Sequence, residues 1–156
     1  MKKLFLVIIT IFLFFSINAN DYDKEYLTLK YQGVAIGQIS LAYRLISLST
    51  SLAIAKAVDK EYIFSLLSNV DSTILNCKNI ITNNNGTPDN LSKHLLEGID
   101  SLVQCSKNVK DYTSLQSYDN LNKVRGCIDK SSENIDKLTD EYNKTSSLFK
   151  DKVKNK

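Results

Sequence analysis

Between Leu27 and Leu52, large apolar residues recur in steps of three and four: Leu27, Tyr31, Val34, Leu41, Leu45, Leu48 and Leu52, with Gln38 as the interruption. Residues at this spacing stack above one another on a helix, so the pattern predicts a helix with an apolar ridge. A second row, Gly33, Gly37, Ser40, Ser47, Ser51 and Ala55, is small throughout except for Arg44. Small side chains let a neighbouring backbone come close. A helix with an apolar ridge beside a smooth face belongs in the middle of a bundle, the ridge serving as its packing seam. Asp21, Asp23 and Glu25 suit the positive end of a helix dipole, which places the start near 21–23 and the run to about Val58. Gly33 and Gly37 have the spacing of a membrane-helix dimer motif. Arg44 and the many serines make a poor bilayer segment, so the spacing reads as close packing.

Three further stretches show helical periodicity. After Asp59, a candidate cap, Ile63, Leu67, Val70, Ile74, Cys77 and Ile81 step by four and three as far as the Asn-rich turn at 82–86. One long helix running through residue 59 is the alternative. Thr87-Pro88-Asp89 carries the signals of a helix start, with Thr87 capping and Pro88 first in the helix. The seam that follows is Leu91, Leu95, Gly98, Leu102, Cys105, Val109 and Tyr112, widened by Leu96, Ile99 and Val103. Gly98 on that seam implies a close crossing. The pattern lapses over 113–118, where Thr113, Ser117 or Asp119 are candidate starts for the last helix. Its seam is Leu121, Val124, Ile128, Ile135, Leu138, Tyr142 and Phe149, with Ser131 and Thr145 as weak points. Four helices with short connections predict an all-α, antiparallel, up-and-down four-helix bundle. A monomer is expected rather than an interchain coiled coil, because the first helix is apolar over more than one stripe and needs several neighbours.

The first residues stand outside this domain. Lys2 and Lys3 precede an apolar run from Leu4 to Phe15, and Ser16-Ile17-Asn18-Ala19 ends on a small residue. This is the pattern of a signal peptide, residues 1–19, cut after Ala19, leaving one domain over 20–156. The run is too short for the ~20 apolar residues of a spanning helix, so no membrane span is expected in the mature chain, which would be secreted or periplasmic. Two lysines and no acid leave with it, so the formal charge falls from +3 to +1. That balance, with lysines spread among acids, does not point to nucleic acid.

Three cysteines in an exported chain allow at most one internal disulfide. With the last two helices antiparallel about a turn near residue 116, Cys105 and Cys127 stand equally far from it and form the expected pair. Gly126 would ease the approach of the two backbones. Cys77 remains as a free thiol, expected to be buried on its seam. His94 is the single histidine, at a similar distance from its turn as Cys77, but no third group completes a catalytic set. It cannot supply both Glu-x-x-His units of a bundle di-metal site, and phosphate loops, haem motifs and nucleophile elbows are absent from the chain. No cofactor or metal is expected. In a eukaryotic host Asn90 and Asn143 would be glycosylation acceptors; the triplet at Asn85 is followed by Pro88, which argues against it.

These readings point to an exported, non-enzymatic helical protein that presents a rigid surface to another protein, with inhibitors and immunity proteins as one subclass. The alternative is a carrier of a small apolar or lipid-like ligand between the helices, with Arg44 meeting its acidic group.

Overall fold

The computed structural model describes residues 21–84 and 89–154. Four helices account for nearly all of them: α1 (Asp21–Ala55), α2 (Lys60–Asn84), α3 (Asn90–Leu115) and α4 (Tyr118–Lys154), with no strand among the described residues. The chain is thus an all-α, antiparallel four-helix bundle. The signal-peptide segment, its cut after Ala19, and Asn85 lie outside the described residues, as do Thr87 and Pro88, but the cap expected at Thr87 falls instead at Asp89.

The connections follow from local chemistry. α1 stops at Ala55, short of the expected Val58, because Lys56 turns left-handed (φ 50) and ends the helical ladder. Asp59 caps α2 as its sequence suggests, accepting a hydrogen bond from the Tyr62 N–H at 2.7 Å. At the start of α3 the cap is Asp89, whose carboxylate accepts from the Ser92 N–H at 2.7 Å. Gln116 closes α3 in the left-handed region, its N–H bonded to the Tyr112 carbonyl at 2.7 Å. Of the three candidate starts for α4, Ser117 is used, its Oγ accepting from the Asn120 N–H.

Each helix packs on its sequence neighbours, and α1 also touches α3 and α4, so α1 meets all three others. α1 and α4 have 35 and 37 residues against 25 and 26 for α2 and α3. The surplus lies at one end. Gln32 is level with the start of α3, so the residues of α1 before it run alongside the end of α4. There the rings of Tyr26 and Phe149 stand 6.2 Å apart and Lys152 pairs with Glu25 at 2.7 Å.

The seams of α2 and α3 are buried at every position predicted: Ile63, Leu67, Val70, Ile74, Cys77 and Ile81 on one, Leu91 to Tyr112 on the other. Val103, expected to widen the α3 face, is instead exposed. On α4, Val124, Leu138 and Phe149 are buried while Leu121, Ile128, Ile135 and Tyr142 are partly covered. The weak point Ser131 is buried, its hydroxyl 3.3 Å from that of Ser101 on α3. A Cβ on Gly98 would lie 3.1 Å from Leu138 Cδ1, which is the close crossing its position implied.

α1 departs from expectation. Its buried face is Leu29, Gln32, Ala35, Ile36, Ile39, Ala42, Ile46, Ser49, Thr50 and Ala53. The ridge read from the sequence points the other way: Val34, Leu41 and Leu48 are 38%, 53% and 49% exposed. The reason is that α1 is apolar nearly all round, so periodicity alone cannot say which side turns inward. Contact with three neighbours decides it. The buried face alternates isoleucines with Ala35, Ala42 and Ala53, and the alanines let three helices approach at once.

Polar clasps fix the register. Buried Gln32 donates from Nε2 to both carboxylate oxygens of Asp89 (3.0 and 2.8 Å) and to Ser92 Oγ (3.1 Å), tying α1 to the cap of α3. Asp71 on α2 accepts from Ser106 Oγ at 2.7 Å and from Lys110 Nζ, both on α3.

Candidate interaction surface

Because α1 sits between α2 and α4 and leans on α3, its remaining face looks outward. Down its middle run two interleaved rows. One is large and apolar (Val34, Leu41, Leu48); the other is Gly37, Arg44 and Ser51, all exposed. Together they step by three and four, the a and d positions of a short heptad stripe. On either side the half-buried residues Leu45 and Leu52, and Ser40 and Ser47, form the transition to the core.

The borders differ in chemistry. On α2, the positions facing away from Asp71 and Lys78, which bind α3, are Tyr62, Asn69 and Asn76, all exposed and uncharged. Gly33 identifies the α4 side: a Cβ there would lie 2.6 Å from Tyr142 Oη. The exposed residues of α4 along that border are mixed: Arg125, Asp129, Asp136 and Asn143. Carrying the register of Gly33–Tyr142 and Tyr26–Phe149 up the helices puts Arg44 level with the stretch between those two acids. Arg44 makes no ion pair among the described residues. As an exposed side chain on the outer face, it does not border a space between helices, where a carried ligand would sit.

The other candidate residues are dispersed. Cys105 and Cys127 stand at disulfide distance with Cα atoms 5.4 Å apart. Gly126 takes no part in this approach: it is exposed, with nothing within 4 Å of a built Cβ. Cys77 is buried, its S–H directed to the Ala35 carbonyl at 3.5 Å, and burial pushes its pKa up to about 12. Such a thiol is inert at neutral pH. His94 lies on a different side of the bundle, exposed, with Nδ1 2.8 Å from Glu141 Oε2 on α4. That hydrogen bond, then the charge of Glu141, and last that of Glu97, hold its pKa above 6.5, against a small opposing effect of burial.

A groove of ≈ 230 Å³ between α3 and α4 adjoins this pair, lined by His94, Glu97, Lys137 and Glu141 over Leu138. Among the described residues no group of three His, Cys, Asp or Glu side chains is placed to hold a metal ion. No described helix is long and apolar enough to cross a membrane. Asn90 and Asn143 are exposed but helical, and the Ser92 and Thr145 hydroxyls of their triplets are engaged in hydrogen bonds.

Sequence reasoning missed two features. The outward direction of the α1 ridge left no signal in its own periodicity, and Gln32 appeared in no apolar pattern. Comparison with known proteins finds no matching family model, no similar curated protein and no similar solved structure.

Proposed function

We propose that this chain is an exported, non-enzymatic helical protein that binds another protein through the rigid outer face of α1. The observation that carries the reading is the row Val34, Leu41 and Leu48, large aliphatic side chains left in water on a helix whose other sides are packed. Isolated exposed apolar residues are ordinary, whereas a contiguous row along a rigid element is the kind of patch that marks an interaction site. Export is supported by the amino-terminal pattern and by the cysteine pair, since disulfides persist in oxidising compartments. Inhibitors and immunity proteins are one class that such a compact helical surface would suit.

The test is capture of partners from the native compartment by the mature protein and by Leu41→Lys/Leu48→Lys, with circular dichroism confirming equal helicity. The expected result is a protein retained by the first and lost by the second. Recovery of no protein, or of one held equally by both, overturns the reading.

A further inference from the structure

We propose that the groove between α3 and α4 is a binding site for a small zwitterion, a free α-amino acid, held with its ammonium toward Glu97 and its carboxylate toward Lys137 and His94. The site is separate from the α1 face and does not depend on the reading of that face. Its floor is apolar. Gly98 and Leu138 line the groove and are both buried, and a Cβ on Gly98 would stand 3.1 Å from Leu138 Cδ1. With no side chain at Gly98, the space above this close crossing stays open.

The walls carry both signs of charge. The contacts His94–Glu141 and Gly98–Leu138 set the register of α3 against α4, and that register places Glu97 and Lys137 at the same height on facing helices. Both are exposed and both line the groove. Yet among the described residues neither makes an ion pair or a side-chain hydrogen bond, with the other or with any third group. Asn134, half-buried one turn earlier on α4, lines the same groove with its amide uncommitted. His94 gives Nδ1 to Glu141, which leaves Nε2 as the nitrogen available to a ligand.

Charge decides the class of ligand. Glu97 and Glu141 stand against Lys137 and His94, so a simple anion meets two carboxylates and a simple cation meets an ammonium and an imidazole. A molecule bearing both charges a few ångströms apart gains on both walls. The charges next along the helices do not tip the balance: Lys93 and Lys144 are matched by Glu133 and Asp140, while Asp100 is engaged by Lys78 at 3.2 Å. Size sets the upper limit. The groove holds ≈ 230 Å³, below the ~300–1,000 Å³ of sites for drug-sized ligands, which suits a free amino acid better than a peptide or a cofactor. Exposed charges contribute little each, so a dissociation constant on the order of 1 mM is expected.

Titration of the isotope-labelled mature chain with alanine up to about 50 mM, followed by amide NMR shifts, tests this over the millimolar range. Saturable shifts are expected at residues 94–98 and 134–141. Acetate and methylammonium, which each carry half of the recognised chemistry, should bind several-fold more weakly than alanine. Lys137→Ala and Glu97→Gln should each weaken alanine binding at least threefold, and Lys107→Ala, an exposed lysine near the far end of α3, should leave it unchanged. Both substituted groups are exposed and unpaired, so the variants should keep the parent circular dichroism spectrum. No saturable shift with alanine, shifts that acetate reproduces at equal concentration, or binding indifferent to both Lys137→Ala and Glu97→Gln overturns the proposal.

Discussion

Reduction of the Cys105–Cys127 pair should lower stability by about 3 kcal/mol. The two cysteines are 22 residues apart in sequence and close a loop that holds the last turns of α3, the first turns of α4 and the turn at Gln116. Constraining a loop of this length removes chain entropy from the unfolded state worth about 3 kcal/mol at 25 °C. Native packing offers little to offset the loss, because the pair stands within an antiparallel hairpin whose register is kept by other contacts. One of these is Ser101–Ser131, and another is Gly98 against Leu138. Reduction is a cleaner perturbation than Cys→Ser, which would put a new hydroxyl at the buried position of Cys105. Urea unfolding followed by circular dichroism, with and without reductant, reads the difference by linear extrapolation. For a domain of this size the midpoint of thermal unfolding should fall by roughly 10 °C. The reduced protein should still fold, since total stabilities run to about 5–15 kcal/mol. A difference below about 1 kcal/mol, by the same loop-entropy reasoning, would refute it. So would peptide mapping that finds Cys77 in the bridge.

Cys77 should not react with a thiol reagent at pH 8 in the native protein and should react promptly in denaturant, as burial and its raised pKa require; fast native labelling would contradict its placement. Gly126→Ala should stabilise by up to ~1 kcal/mol, since the helical site is open. Gly98→Val should cost about 1–3 kcal/mol through Leu138, and denaturant midpoints separate the two. His94 has a folded pKa raised above 6.5, so its pairing with Glu141 stabilises fully below the unfolded value, and that contribution is lost as pH rises through the folded value. Glu141→Gln should therefore lower the His94 pKa in an NMR titration, with only a small effect on stability because the pair is exposed.

The parts of the fold written in strong amphipathic periods were legible in the sequence. Ile63 to Ile81 and Leu91 to Tyr112 each have one apolar side, and each buries that side. The level placement of Cys105 and Cys127 followed from the turn at 116 alone. What was not legible is instructive. Leu41 and Ile39 are equally apolar neighbours on a helix without a polar face, and only contact with three other helices distinguishes them. Asp89 is the cap of α3, and the reason it holds Gln32 as well is tertiary. Gly126 seemed placed to aid the cysteines, yet Cys127 reaches Cys105 while its neighbour faces solvent. The candidate surface was therefore present in the sequence as a ridge, but assigned to the wrong side of the helix.

Whether α1 really turns that ridge outward is the point on which the docking face depends, and thermal unfolding of two lysine variants two residues apart measures it. Leu41→Lys should keep a cooperative transition with its midpoint within a few degrees of the parent, because the side chain gains water on an exposed face. Ile39→Lys should lose the fold or most of its stability, since Ile39 is 1% exposed and a buried charge there has no partner. Equal tolerance of both, or collapse on Leu41→Lys with Ile39→Lys intact, would contradict the account.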